Sequence, residues 1–251
     1  MNTVIGTMNQ EELKVQLEQH LVWFENRSAG RQLHLSDVTL DGIDLSAGRL
    51  MEAILERVNF NHCKLRGWAF NRAKLVKVSF FDTDLSGAEL RDCLLGKVTF
   101  KECTMTSVFF SGAVGNACDF AGINLESAGF AKSTFNDTSF ASASLRGANL
   151  LKFVLKGGDM SRCDLSDTCL TKTEFIGVDM RGAIFKDARL FKTEFNRARV
   201  HGISGPASTI ERLWVIDPDL SEQGDGSKIG TEEDLSILLQ QPRRDSARPK
   251  T

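Results

Sequence analysis

Leu145-Arg146-Gly147-Ala148-Asn149-Leu150 sets two large apolar residues five places apart, with a small residue two places before the second. The same spacing runs outward in both directions. From Leu35 to Val200, every residue whose number is a multiple of five is Leu, Phe, Met or Val, with Gly115 as the one exception. An amphipathic helix returns its apolar face every 3.6 residues and a strand every 2, so a strict period of five marks an internal repeat and predicts a solenoid.

Two residues before these positions recur Ala53, Ala73, Thr83, Ala88, Val98, Ala128, Ala148, Ala183, Ala188 and Ala198, so small and large side chains alternate inward. Polar residues such as Asp44, Asn59, Asp84, Asn124, Asn149, Asp164 and Asp179 lie between them and are expected to face water. Blocks such as Ala88-Glu89-Leu90, Ala148-Asn149-Leu150 and Cys163-Asp164-Leu165-Ser166 resemble the pentapeptide-repeat family, whose motif is written A(D/N)LXX. The resemblance implies an all-β chain: a right-handed, quadrilateral parallel β-helix in which four pentapeptides complete one coil of about 20 residues, with short helical caps.

Reading every twentieth residue agrees with that implication. One column holds Phe60, Phe80, Phe100, Phe120, Phe140, Met160 and Met180, which would stack at the strand spacing of about 4.8 Å. A second holds Leu45, Leu65, Leu85, Met105, Leu125, Leu145, Leu165 and Phe185. Residue type changes slowly along each column because every side chain packs on the one a coil above. At one strand spacing per coil, residues 31–200 would extend roughly 40 Å.

A parallel stack has open ends that need caps. Residues 1–30 read as an N-terminal helical cap. Asn9 followed by Glu12 has the form of a helix start, and Leu13, Leu17, Leu21 and Phe24 follow at helical spacing. After Val200 the pattern is expected to fail at Pro206, with Ile210, Leu213, Trp214 and Ile216 closing the far end within a C-terminal cap over 201–240. A short helix there would use Thr231 as N-cap, Glu232, Glu233 and Asp234 in its first turn, and Leu235, Leu238 and Leu239 as its buried side. Residues 241–251, with Arg243, Arg244, Arg248 and Lys250, read as a disordered basic tail.

No apolar run is long enough for a signal peptide or a spanning helix, so a cytoplasmic location is expected. Cys63, Cys93, Cys103, Cys118 and Cys163 occupy the small inward position, with Cys169 at the position after it; the inward ones read as small apolar fillers, and disulfides and metal sites are not expected. His20, His34, His62 and His201 are read as scattered surface histidines, and His62 and Cys63 point to opposite sides of the wall. The run from Asp217 and Asp219 through Glu222 to Asp225 and Gly226 lacks the ligand spacing of a calcium loop and reads as a surface turn. No catalytic residue, cofactor or metal is expected.

Three outward columns are the candidates for function. Asp119, Asp159 and Asp179 fall in one and form a candidate acidic strip. Some members of the family protect DNA gyrase, and the usual explanation is that an acidic β-helix imitates duplex DNA. Residues 31–200 hold 23 Lys and Arg against 20 Asp and Glu, a net of +3 in a chain of −2, which makes a poor copy of a polyanion. Lys132, Lys152, Lys172 and Lys192 form a basic ladder, repelling one another and relieved by Glu174 and Glu194. The ladder reads either as protection against aggregation or as a ridge for an acidic partner. Ile54, Leu94, Val114 and Val154 place apolar residues where the motif prefers Asp or Asn, with Phe109 on the neighbouring side. The break at Gly115 would bulge the wall and partly bury them; otherwise they form a docking patch. Trp68 and Phe153 are too large for the inward slot and are expected to distort it.

The sequence therefore predicts a non-catalytic scaffold whose rigid faces bind a protein partner, without direct nucleic-acid binding. The alternative is a gyrase-protecting protein conferring quinolone or albicidin-type antibiotic resistance, with a homodimer formed through the C-terminal region.

Overall fold

The computed structural model describes residues 6–45, 48–223, 226, 228 and 230–240. Within them the chain winds into a parallel β-solenoid of about nine coils. Every coil pairs in parallel with the residue twenty places on: Leu35 with Leu55, Leu55 with Leu75, Leu75 with Leu95, and so to Phe195 with Val215. Bridges such as Asp44 to Lys64, Arg49 to Ala69 and Thr99 to Asp119 make the same step on the other sides, giving four faces.

The corners explain why five residues suffice for a side. The second residue after a central apolar one adopts a left-handed conformation, as at Arg57 (φ 55°), Lys77 (54°) and Lys97 (54°). Non-glycine residues resist this conformation, and it persists because the neighbouring coils hold it: the Lys77 amide donates to Gly96 O at 2.7 Å.

Inside, the phenylalanine column is present as expected. Rings of Phe60, Phe80, Phe100, Phe120 and Phe140 stack with centroids 4.9, 5.1, 4.7 and 4.9 Å apart. Phe70, Phe110 and Phe130 meet them edge-on from an adjoining face. The small inward slot has a polar variant, in which Thr83, Thr173 and Thr193 hydroxyls and the Cys93 thiol donate to the carbonyl 23 residues earlier. No buried hydroxyl on these columns therefore loses its hydrogen bond.

Neither expected distortion occurs. Val114–Asn116 pairs regularly with Leu94–Gly96 and Thr134–Asn136, so the wall does not bulge at Gly115. The Phe135 ring from the next coil fills the space instead. Trp68 is fully buried because Gly48, one coil earlier, leaves room for the indole, whose Nε1 donates to Leu45 O at 3.0 Å. Phe153 is fully buried among Phe130, Phe135 and Phe140.

At the N-terminal end, strand β1 (Gly6–Met8) pairs in parallel with strand β2 (His34–Asp41) and takes the place of a preceding coil, a pairing the sequence did not suggest. Helix α1 (Gln10–Glu25) follows from a full capping box of Asn9 and Glu12. Its buried residues are Leu13, Leu17 and His20, whereas Leu21 and Phe24 are only half-covered. Burying Leu13 and Leu17 over the open core contributes about 1.5–3 kcal/mol each.

The solenoid does not stop at Val200. Ile184 bridges to Ser204, Thr209–Glu211 pairs with Arg189–Phe191, and Trp214–Ile216 pairs with Glu194–Asn196. Gly205 replaces one apolar residue at φ 97°, and the pattern resumes with Ile210, Val215 and Leu220. Trp214 and Ile216 flank Val215, so they point outward at 50% and 46% exposure and do not close the end. Closure comes from helix α2 (Glu232–Leu238), capped by Thr231 and Asp234, which brings Leu235 and Leu239 to full burial. The expected basic tail, 241–251, lies outside the described residues.

Candidate functional site

The longest sheet runs along the face centred on Leu35, Leu55 and their successors, and it carries the apolar candidates. Leu94 and Val114 are direct partners on adjacent strands, 54% and 45% exposed. Ile54 and Val154 lie on the same face but are half-buried, and Lys74 and Thr134 interrupt the row. Ile54 also lines a groove of about 710 Å³ between this face and Val15, Gln16 and Gln19 of α1. Phe109 is not part of the patch: it is half-buried on the next face, beneath the Arg91 guanidinium at 4.6 Å from the ring. Trp214 and Ile216 are exposed on the same face near its C-terminal end, but Glu174 and Glu194 separate Trp214 from Val154 in its column, so they form a separate apolar spot. Continuing the count of five places both outside Val215.

The lysine column occupies the corner beside this face. Lys132, Lys152, Lys172 and Lys192 have φ of 62°, 57°, 58° and 55°, and Arg212 continues the column at 53°. Their amides donate to carbonyls nineteen residues on, Lys132 to Leu151 at 2.8 Å and Lys152 to Thr171 at 2.9 Å, which locks the ladder in register. Glu174 and Glu194 do not form ion pairs with it: among the described residues no carboxylate lies within 4.0 Å of any of the four ammonium groups.

Asp119, Asp159 and Asp179 do share one column, through bridges to Ser139 and to each other. Their carboxylates are occupied locally. Asp119 and Asp159 accept from the amides of Ala121 and Ser161 at 2.9 and 2.7 Å. Asp179 does not face water; it is only 9% exposed and held by Arg181, with Arg199 at 3.7 Å. Burial pushes its carboxyl up, but the Arg181 hydrogen bonds and the two guanidinium charges hold it below the ordinary value.

Several titratable groups are engaged within the fold. His20 is not a surface histidine: it is fully buried, its Nδ1 accepts the Leu33 amide at 3.0 Å and its Nε2 meets Met51 O at 2.9 Å. Burial pushes its imidazole below the ordinary value. His62 is exposed and pairs with Asp41 at 2.7 Å, which raises it. Burial pushes Cys63 and Cys103 up to about 11 and Cys93 to about 12. The acidic run at 217–226 wraps inward: the Asp219 carboxylate accepts from the amides of Ser221 at 2.8 Å and Gly226 at 2.9 Å, and Arg181 donates to Gln223 O at 3.0 Å. Asp225 lies outside the described residues. Among the described residues no cluster of three or more His, Cys, Asp or Glu is placed to hold a metal, and no helix is long and apolar enough to cross a membrane.

Twenty-residue coils, four faces and a stacked Phe/Leu interior define a pentapeptide-type β-solenoid. The profile described as "Pentapeptide repeat region" matches residues 53–130, and that of "Pentapeptide repeats (8 copies)" matches 34–67, 118–157 and 159–197. The chain belongs to the pentapeptide-repeat family. No curated protein matches it in sequence. Among solved structures it resembles a trypsin-treated form of QnrB1, a plasmid-mediated fluoroquinolone resistance protein, at 16% identity and a TM-score of 0.54, over 83% of this chain and 94% of that one. HetL, involved in heterocyst differentiation regulation in the cyanobacterium Nostoc, aligns at 19% identity and a TM-score of 0.43, over 88% of this chain and 99% of that one.

Proposed function

We propose that this chain is a non-catalytic binding protein that holds a protein partner against the faces of its β-helix. The observation that carries this reading is the exposed Leu94–Val114 pair, two large apolar side chains on adjacent, paired strands. Such a pair on a rigid wall is worth covering, since a partner removes it from water without first having to order it. The buried thiols, and a histidine committed to the backbone, support the absence of catalysis and accord with a reducing, cytoplasmic setting. The test is L94S/V114S: a protein captured from extract by the parent chain should be lost by the variant at unchanged thermal midpoint. Equal capture by both would remove this patch as the site.

Gyrase protection is the second reading, suggested by the QnrB1 likeness in fold and, for a C-terminal homodimer, by exposed Trp214, Ile216 and Ile237. The arginine-paired Asp179 weighs against DNA imitation along that column. A supercoiling assay with a quinolone or albicidin-type poison decides it: relief of inhibition by the purified chain supports protection, and no effect removes it.

A further inference from the structure

The corner column that begins at Glu52 changes character along its length. Near the start the solenoid pairs its charges across coils, with Arg72 3.0 Å from Glu52. Beyond Gly112 the same column presents Lys132, Lys152, Lys172, Lys192 and Arg212, five cations in consecutive coils. The other corners do not do this. One runs Lys97, Ala117, Asp137, Gly157, Gly177 and Arg197, and another Glu102, Gly122, Ser142, Arg162 and Gly182. Glycine fits the left-handed corner best, so backbone preference does not account for a run of lysines. Some exposed cations elsewhere are paired with acids, as at Arg57–Asp37, Lys64–Asp44 and Arg146–Asp167, whereas, among the described residues, others such as Lys77 and Lys97 are not, so it is the unbroken run of five that sets this corner apart. Here, among the described residues, no carboxylate pairs with any of the five, and the face ending in this corner carries no Asp or Glu between Asp92 and Glu211, although Glu174 and Glu194 stand on the face that follows it.

Beside the ladder runs a second column, Ala131, Leu151, Thr171 and Phe191, all half-buried. Lys192 Nζ lies 5.5 Å and the Arg212 guanidinium 5.9 Å from the Phe191 ring centre. A line of cations is thus paralleled by a line of small and apolar side chains. A phosphate backbone would leave the apolar line unused, whereas an amphipathic protein segment would use both. Spacing narrows the choice further. Four coil steps cover about 19 Å at the strand spacing, and four turns of α-helix cover about 22 Å. The difference of about 2.4 Å is within the reach of a flexible lysine side chain.

We propose that this edge docks an acidic amphipathic helix of another protein, laid along the solenoid axis, with a carboxylate above each cation from Lys132 to Arg212 and its apolar residues on Leu151 and Phe191. This names the partner chemistry of the binding reading and rests on it, although it uses a different surface from Leu94 and Val114. Electrostatic complementarity along the ridge would set register and speed association, and the apolar line would hold the bound helix.

The experiment is fluorescence anisotropy of the full chain with a labelled helix-forming peptide of about 18 residues, about 27 Å long, carrying Glu on one face and Leu on the adjoining strip. The parent should bind it at low salt and weaken as salt rises from about 50 to about 300 mM. K152E/K172E should bind at least about tenfold more weakly at an unchanged thermal midpoint, and Leu151→Ser a few-fold more weakly. K77E/K97E, on another corner, should bind as the parent does. Equal binding by K152E/K172E, equal loss in K77E/K97E, or unchanged binding of a peptide with scrambled spacing would overturn the inference. Tighter, ridge-dependent binding of an oligothymidylate of equal length would overturn it in favour of nucleic acid. A partner captured through Leu94 and Val114 while the acidic peptide fails would sink the ridge and leave the binding reading standing.

Discussion

The ring of Phe135 occupies the space that a side chain at Gly115 would need: a Cβ added there would lie 2.1 Å from Phe135 Cδ1. The two residues are direct partners on adjacent strands. One break in the repeat and one oversized neighbour are therefore a single packing solution.

That coupling is measurable as a double-mutant cycle. Gly115→Leu restores the repeat yet should destabilise the chain by about 1–3 kcal/mol, because the inserted side chain meets an occupied space. Phe135→Leu alone should leave a cavity and also destabilise. G115L/F135L should recover much of the combined loss, read as a urea midpoint above that expected from adding the two single effects. Simple additivity would show that the residues pack independently.

The N-terminal cap should loosen in acid. His20 accepts the Leu33 amide through Nδ1, and protonation would place a donor there instead. Arg27 and Glu52 are the charged groups acting on it, and Trp23 stacks at 5.5 Å. Burial lowers the folded-state value below the unfolded value of about 6.5, so this contribution is fully present above about pH 6.5 and lost as pH falls below it. Exposed His62 is raised by Asp41 and acts in the opposite sense, its contribution being lost as pH rises from about 6.5. Hydrogen exchange at the Leu33 amide, corrected for intrinsic rate, should accelerate from about pH 7 to about pH 5.5 in the parent and not in His20→Gln. A flat profile in the parent would refute the clamp.

Thiol labelling should divide the six cysteines. Five are buried and Cys169 is half-exposed. With Cys93 pushed up to about 12, its thiolate is scarce at neutral pH as well as shielded. A disulfide reagent should therefore modify Cys169 rapidly in the native protein and the other five only in denaturant. Rapid native modification of Cys63 or Cys93 would mean that the wall opens.

The C-terminal lid is testable at one residue. Leu235 is fully buried over the last coil, and Leu235→Asp should lift α2 and expose an open parallel edge. Light scattering should then show self-association growing with concentration, while the solenoid's far-ultraviolet signal persists. A monodisperse variant would show that the edge is protected by other means.

Most of the wall was legible because inward columns obey one physical demand, volume matching between neighbours a coil apart. The Phe60 to Phe140 stack needed only the count of twenty. What escaped were features fixed by distant or alternative partners. Gly48 has no periodic signature that ties it to Trp68, and His20 reads as polar until Leu33 and Met51 are seen to close on it. The end of the solenoid was misplaced because Gly205 and Pro206 look like a stop, although the parallel pairing continues past them to Asp219. For the candidate surfaces, the count of twenty gives which residues share a column, but not how their charges are spent, as Asp179 shows, nor what covers them, as Phe109 shows.

The left-handed corners impose a rule on how such a gene can change length. Losing or gaining five codons would turn every downstream residue onto the next face, dispersing any surface built from a column. Twenty codons leave all four faces aligned and alter only the span of the rod, by about 4.8 Å. Segmental duplication in units of one coil is thus the route by which a ridge such as Lys132–Arg212 could lengthen to suit a longer partner, one cation at a time.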